Sequence, residues 1–212
     1  MKLRWTITLV VTLIAARLSS AQETPAVEGP QFVARPGQTV EFTPMTRSEG
    51  LRHYLGQTFG VGSFAQSAMS AGFAQLNQKP EEWGDGGEGY ARRLGNAYAK
   101  HFISQTLQYG AATALHEDDR YLVSGQTGLW NRARYAIAST FLARKLNGQR
   151  TFAFARFAGA AGAAFISNTW QPASTSGSDR AATSFGICIA ANLGGNIARE
   201  FWPDLKSHFR RK

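Results

Sequence analysis

Small residues repeated every four positions are the feature of this sequence that most restricts its fold. Residues four apart lie on one face of an α-helix. Three such series occur: Ala91, Gly95 and Ala99; Ala155, Gly159, Ala163 and Ser167; and Gly186, Ala190, Gly194 and Ala198. A glycine inside a helix costs about 1 kcal/mol relative to alanine. We therefore expect close helix–helix contacts to offset that cost at Gly95, Gly159, Gly186 and Gly194.

The remaining pattern predicts an all-α fold: a single bundle of about five helices with Gly/Ala-rich packing, plus a short basic C-terminal helix. We place the helices at 47–76, 90–116, 130–146, 152–168 and 179–200, with the terminal helix beginning near Pro203. Thr46 and Glu49 have the spacing of a capping box, and Asn147–Gly148 predicts a turn. Strands are the minority expectation, with 39–42 as a short candidate.

The first residues predict export. Lys2 and Arg4 precede an apolar run over 7–16, and Ser19 and Ala21 follow as small residues. This is the pattern of a cleaved secretory signal, and a run of roughly ten apolar residues is too short to span a membrane. We expect a periplasmic or other cell-envelope protein with three parts: a signal peptide at 1–21, an extended, proline-containing lead at 22–45, and one helical bundle domain at 46–212.

The charge balance favours anionic partners. Without residues 1–21, 20 basic residues remain against 14 acidic ones, a net charge of +6. A basic surface attracts anionic lipid, nucleic acid or acidic glycans, and export argues against nucleic acid. We therefore expect an anionic membrane surface, a second copy of the chain or an envelope protein as the partner. Cys188 is the single cysteine, so the chain has no internal disulfide.

The sequence leaves open whether the helical bundle lies within a membrane, on its surface or in water. The uncharged stretches 54–78, 157–178 and 181–198 suit helices that pack through small residues in lipid. They also contain many Gln, Ser, Thr and Asn residues, which lowers their hydrophobicity. Both a water-soluble or membrane-surface bundle and a membrane-embedded channel or assembly fit this pattern. The C-terminal segment supplies the candidate membrane contacts, namely Trp202, Lys206, Phe209, Arg210 and Arg211.

A glycine motif near position 86 does not indicate a nucleotide site. Gly84, Gly86 and Gly89 match the spacing GxGxxG. That motif requires a preceding strand and open backbone amides for a pyrophosphate. No strand is predicted there, and Asp85 and Glu88 would repel the phosphates. Because no other cofactor or metal pattern is complete, we predict neither a cofactor nor a metal ion.

A polar cluster at the end of the second predicted helix is the candidate for catalysis. A zinc-protease helix needs a second histidine where this chain has Arg120, so that class is excluded. Acid–base catalysis by a hydrolase-like enzyme remains an alternative, provided that the side chains converge in one pocket. The candidates are His116, Glu117, Asp119 and Arg120, with His53 or His101 joining them in space.

Five short motifs resemble an uncharacterised family of secreted bacterial proteins. The resemblance covers about 46–206, and family members usually carry a proline at the position of Asp119. It implies one exported domain, and because no activity is attached to the family it assigns no catalytic role. The motifs are Glu82-Trp83-Gly84, Gly89-Tyr90 with Arg93, Glu117-Asp118-Asp119-Arg120-Tyr121, Ile166-Ser167-Asn168-Thr169-Trp170 with Pro172, and Glu200-Phe201-Trp202-Pro203-Asp204-Leu205.

Overall fold

The computed structural model describes residues 42–210, with side chains as far as residue 207. The expected signal peptide, most of the lead and nearly all of the candidate strand at 39–42 lie outside this range. The predicted all-α fold class is confirmed, because helices dominate and the sheet is small. The helices are α1 (Arg47–Phe59), α2 (Val61–Leu76), α3 (Gly86–Leu115), α4 (Leu129–Phe141), α5 (Phe154–Ser167) and α6 (Ser178–Arg210).

Three short strands join the helices into one antiparallel sheet. They are β1 (Glu117–Asp118), β2 (Leu142–Lys145) and β3 (Arg150–Phe152), in the order β1-β2-β3. Asp118 pairs with Arg144 across β1 and β2, and Arg144 pairs in turn with Arg150 on β3. The sheet therefore connects the end of α3 to the hairpin between α4 and α5.

The predicted first helix is divided at Gly60. Its start is as expected: the Thr46 hydroxyl accepts a bond from the Glu49 amide at 3.3 Å, and the Glu49 carboxylate accepts from the Thr46 amide at 2.8 Å. Gly60, however, has a ψ of 159°, and a Cβ there would collide with the Gly56 carbonyl oxygen. A single helix over 47–76 is therefore wrong, because this extended residue interrupts the helical hydrogen bonding between α1 and α2.

A β-hairpin lies between the predicted helices at 130–146 and 152–168, so the first ends earlier and the second begins later than expected. The turn expected at Asn147–Gly148 is present, and Gly148 has a φ of 85°. This turn sets the two arms antiparallel, so that Leu142 pairs with Phe152 and β2 also pairs with β1. The two helix boundaries were wrong because backbone pairing across the sheet outweighed the helical preference of these few residues.

The predicted break at Pro203 is absent, and α6 continues through it to Arg210. A proline inside a helix removes one backbone hydrogen bond and clashes with the preceding turn. Arg132 of α4 binds α6 on both sides of this proline. It donates to the carboxylate and backbone oxygen of Glu200 before the proline, and to the Asp204 carboxylate after it. A separate terminal helix is therefore wrong, because a tertiary contact supports the helix across Pro203.

Helices α3 and α5 approach each other closely at Gly159. All four members of the α5 small-residue series are buried. A Cβ on Gly159 would lie 2.5 Å from the Ser104 backbone oxygen and 2.9 Å from the Gln108 Cβ. The close approach expected from the sequence is therefore present at Gly159. At Gly95, Gly186 and Gly194 a Cβ would meet no other atom within 4 Å in the part of the chain described.

The interior is built from small and polar residues. Between residues 42 and 207, the buried hydrophobic residues are all alanines apart from Pro80. The largest fully buried side chains are those of Arg93, Glu200, Thr58 and Thr140. Helix α2 shows the same arrangement, since it buries Ser63, Ser67 and Ala71. Its exposed large residues are 51% to 78% accessible and form what we call the α2 apolar face: Val61, Phe64, Met69, Phe73 and Leu76.

We expect Gly159→Ala to lower the free energy of unfolding by about 1–3 kcal/mol, the usual cost of overpacking a tight contact. The added methyl group would press against the Ser104 backbone, which is part of α3 and cannot rotate away. Urea denaturation followed by circular dichroism measures the change. Gly186→Ala is the matched control and should be stabilising by about 0.5–1 kcal/mol through helix propensity alone. Equal effects of the two substitutions would contradict the packing described.

Candidate functional site

A cavity of about 300 Å³ lies between α1, the end of α3 and the start of the sheet. We call it the His53 cavity. The rings of Tyr54 and Tyr109, which stack at 4.9 Å, form part of its wall. Four residues predicted from the sequence line it together: His53, His116, Glu117 and Asp119. Convergence in one pocket, which the enzyme alternative required, is therefore present for these four residues.

The end of α3 places three of these residues. His116 follows the helix in the left-handed conformation, with φ 54° and ψ 41°. This turn directs the chain into β1, where Glu117 pairs with Lys145 of β2. His53 comes from α1, whose start is fixed by the Thr46 cap. The cavity thus depends on the packing of α1 against α3, because His53 is distant from the other three in sequence.

Glu117 has a structural partner in this cavity. Its side chain is buried, and Oε2 accepts a hydrogen bond from the Ala155 amide at 3.1 Å. Ala155 lies in the first turn of α5, where unpaired amides and the helix dipole favour a negative charge. The role that the structure gives Glu117 is to cap α5, which leaves His53 and Asp119 as the groups best placed for proton transfer.

Burial and the Asp119 carboxylate have opposite effects on the pKa of His53. Burial lowers the pKa of His53 below its ordinary value of 6.5, and the Asp119 carboxylate opposes this shift without cancelling it. Arg199 and Arg120 reinforce the lowering by charge repulsion. Asp119 itself accepts a hydrogen bond from Gln108 Nε2 at 3.0 Å. A neutral imidazole near a carboxylate can accept a proton and be stabilised as imidazolium.

Arg120 and His101 do not line the His53 cavity. Arg120 forms an ion pair with Asp118 at 2.7 Å and donates to the Thr43 carbonyl oxygen at 2.9 Å. His101 Nε2 lies 2.8 Å from the Gln57 carbonyl oxygen and faces a second cavity. Within residues 42–210, no three His, Cys, Asp or Glu side chains are grouped closely enough to hold a metal ion.

A buried carboxylate network explains two of the five motifs. Glu200 is 0% exposed and accepts hydrogen bonds from Tyr121 Oη at 2.6 Å and from the Ser124 amide at 3.0 Å. Arg132 adds an ion pair at 3.2 Å. Burial, together with the bond to Glu200, raises the pKa of Tyr121 well above its ordinary value. The segment after β1 is thereby joined to α4 and α6.

The other motif residues also fasten loops to helices. The Glu82 carboxylate accepts from the Ser174 hydroxyl at 2.6 Å, and Trp170 Nε1 donates to Asn96 Oδ1 at 2.9 Å. Arg93 donates to the carbonyl oxygens of three loop residues, Lys79, Pro80 and Gly84. None of these residues lines the His53 cavity, and the contacts described for them are structural.

The C-terminal membrane-contact candidates are only partly described. Trp202 is 60% exposed, and Lys206 is also exposed. The side chains of Phe209 and Arg210, and all of Arg211, lie outside the described residues.

Sequence reasoning did not identify Gln108, the hydrogen-bond partner of Asp119, or Arg199, whose charge lowers the pKa of His53. No motif could have indicated either residue, because each meets the site through packing of separate helices.

Comparisons with known proteins add no family to these observations. No protein-family model matches the chain, and neither the curated proteins nor the solved structures give a significant match. The resemblance based on the five motifs therefore stays a prediction.

We expect stability to fall below about pH 6.5 because of His53. The pKa is lower in the folded state, so acid protonates His53 in the unfolded chain first; above the ordinary value of 6.5 both states are neutral and nothing is lost. His53→Gln should flatten the slope by up to about 1.4 kcal/mol per pH unit, the limit for one proton. Urea denaturation across this pH range measures it. Tyr54→Phe is the control and should keep the wild-type slope; an unchanged slope in His53→Gln would contradict the assignment.

We expect Glu200→Gln to lower the free energy of unfolding by about 3 kcal/mol, since it leaves Arg132 without its buried partner. Asp204→Asn removes the other carboxylate on the same arginine. That side chain is 52% exposed, so the loss should stay below about 1 kcal/mol. Thermal and urea unfolding of the two variants give the comparison. If Asp204→Asn were the more damaging change, the buried network would not be the main support of α6.

Proposed function

We propose that this chain is an exported helical bundle of the cell envelope that attaches to an anionic membrane surface through apolar residues on its exterior. The observation that carries the proposal is the distribution of side chains. Alanine and polar residues fill the interior, whereas the large residues of the α2 apolar face are at least half exposed, including Phe64, whose ring also stacks on Tyr98 of α3. Large apolar patches on a protein exterior mark sites of contact with lipid or protein.

The α2 apolar face has the properties of a lipid contact. Helix α2 contains no charged residue, so its exterior can enter an apolar phase without burying a charge. Its sixteen residues correspond to roughly 24 Å of helix. Transfer of apolar surface out of water contributes about 25 cal/mol per Å². Attachment through this face therefore recovers apolar stabilisation that the alanine interior does not supply.

Basic residues beside apolar ones support an anionic surface as the partner. On α1, Leu51, Leu55 and Phe59 are all about half exposed and lie four residues apart. Arg47 and Arg52 are exposed on the same helix. An amphipathic helix with basic residues binds at the lipid headgroup level, where each basic residue gains about 1 kcal/mol near anionic lipid. Such binding weakens at high salt.

Helix α6 bears on how deeply the bundle enters the membrane. The most apolar 18-residue window within Ser178–Ser207 has a mean hydropathy of 1.2 and is 11% buried, so by length and composition α6 could cross a membrane. Among the described residues it is the one helix that meets this test. The embedded channel or assembly is therefore the alternative outcome. The hydrolase alternative is favoured by one observation, the convergence of His53 and Asp119 in one cavity. It would require turnover that His53→Gln abolishes and that Gln149→Glu, an exposed change outside the cavity, retains.

We expect the mature protein to float with vesicles of phosphatidylcholine and phosphatidylglycerol in a density gradient, and to be partly released by salt. Phe73→Glu should lower the partition coefficient by about tenfold, because it places a charge on the α2 apolar face and removes a phenyl ring. Gln149→Glu is the matched control, since it adds the same charge at an exposed polar turn. It should bind like the wild type.

The same gradient separates the alternatives. Protein that stays in the soluble fraction as a defined oligomer would contradict membrane attachment and indicate that copies of the chain cover the apolar face. Retention after a carbonate wash would favour the embedded bundle over surface attachment. Equal loss of binding in Phe73→Glu and Gln149→Glu would show that charge alone, without the α2 apolar face, controls the association.

A further inference from the structure

The three-stranded sheet brings two arginines together at a small cavity. Arg144 on β2 lies directly opposite Arg150 on β3, and both line a cavity of about 50 Å³. Directly opposed residues on neighbouring strands have Cβ atoms roughly 5 Å apart on the same face of the sheet. We call Arg144 and Arg150 the sheet arginine pair. Like charges in this position repel each other, and a negative charge placed between them would remove that repulsion.

The one carboxylate in the lining of this cavity is already engaged. Asp118 lies opposite Arg144 on β1. Its oxygens accept from Arg120, with Nε 3.0 Å from Oδ1 and Nη2 2.7 Å from Oδ2. Among residues 42–207, neither member of the sheet arginine pair has a carboxylate oxygen within 4.0 Å. Because Arg120 also lines the cavity, three guanidinium groups and one carboxylate leave a surplus of two positive charges there.

Neighbouring side chains orient the pair and add donors. The ring centroid of Phe42 lies 5.3 Å from Arg144 Cζ. A guanidinium that lies over an aromatic ring can still donate through the N–H groups at its edges. Tyr135 and Ser139 also line the cavity, and each carries a hydroxyl that can donate a hydrogen bond. Charged and neutral donors therefore surround one small space.

A phosphate-type oxyanion is the ligand chemistry that suits these donors. Arginine binds phosphate through two parallel N–H···O bonds, and such charge-assisted bonds are the strong ones. The roughly 5 Å between the Cβ atoms of the pair lets both guanidinium groups reach one anion. The cavity volume corresponds to roughly four water molecules. It therefore suits one small ionic group, with the rest of a larger ligand lying outside the cavity.

An exposed apolar pair adjoins the arginines on the same face of the sheet. Leu142 lies two residues before Arg144 and pairs with Phe152, which lies two residues after Arg150. Residues two apart in a strand share one face. Both apolar side chains are exposed, and the ring of Phe154 packs edge-on against Phe152 and extends this surface. Hydrocarbon next to a bound phosphate group could therefore contact Leu142 and Phe152.

We propose that the sheet arginine pair binds a phosphate-type oxyanion, supplied by a lipid headgroup or by a free phosphate compound. With a lipid, the hydrocarbon next to the headgroup lies on Leu142 and Phe152. This inference does not rest on membrane attachment through the α2 apolar face, because it concerns a different surface and is tested with soluble probes. A ligand that binds only the folded state raises the melting temperature with its concentration.

The test uses inorganic phosphate and monomeric dihexanoylphosphatidate as probes, with thermal unfolding and titration calorimetry as readouts. Sodium chloride at equal ionic strength controls for screening. Arg150→Gln should weaken binding of either probe that binds by at least about tenfold, because it removes one charged donor fork. Lys145→Gln is the matched control and should bind like the wild type. It removes the same charge from the same hairpin, but on the opposite face of β2 and outside the cavity.

A second measurement separates binding from a structural role. Without ligand, Arg150→Gln should melt no lower than the wild type, because it removes a like-charge repulsion at an exposed position. An arginine with only a structural role would melt lower when replaced and would leave binding unchanged. Leu142→Ser should weaken binding of the phosphatidate and leave binding of inorganic phosphate unchanged, if a lipid is the source of the phosphate.

Each outcome decides the proposal. Tighter binding of the phosphatidate, lost in Leu142→Ser, supports a lipid headgroup, and comparable binding of both probes supports a free phosphate compound. Absence of binding to either probe, an equal response to chloride, or unchanged binding in Arg150→Gln would overturn the proposal. An equal loss of binding in Arg150→Gln and Lys145→Gln would also overturn it, because net charge and not the sheet arginine pair would then control the association.

Discussion

The close contact between α3 and α5 limits which side chains α5 can present to α3. Gly159 faces the backbone of Ser104 so closely that a methyl group has no room. On the α5 side of this contact the buried residues are mostly alanine, with Gly159 and Ser167, whereas the large leucine and phenylalanine side chains elsewhere are partly exposed. The same contact brings the start of α5 to Glu117, whose carboxylate caps it. One packing contact thus restricts the buried face of α5 and places Glu117 in the wall of the His53 cavity.

An interior with little apolar bulk relies on directional bonds to define its structure. Arg156 illustrates this, because it donates to the Ser139 and Thr140 carbonyl oxygens at the end of α4 and to the Asp119 carbonyl oxygen. Glu200 fixes α6 in the same way, because it accepts hydrogen bonds from Tyr121 and from the Ser124 amide. Buried polar groups are expensive unless they are satisfied. Each such group therefore selects one arrangement of the helices around it, which alanine packing alone would specify weakly.

Local signals in the sequence were sufficient for local structure. The Thr46 cap, the Asn147–Gly148 turn and the buried series on α5 follow from residues within one or two turns of each other. The hairpin and the continuity of α6 depend on partners distant in sequence, which no periodicity reveals. The candidate site divides in the same way. His116 to Asp119 were adjacent in sequence, but their meeting with His53 required the packing of α1 on α3.

The alanine interior also has a calorimetric consequence. The heat-capacity change of unfolding comes mainly from apolar surface that becomes hydrated when the chain opens. Here much of the large apolar surface is already exposed in the folded state, as at Val61, Leu129 and Trp130. The difference in apolar hydration between the folded and unfolded chain is correspondingly small. Its stability curve is therefore broad and shallow, so cooling and moderate heating change the fraction folded less than in a protein of equal size with a leucine-rich core.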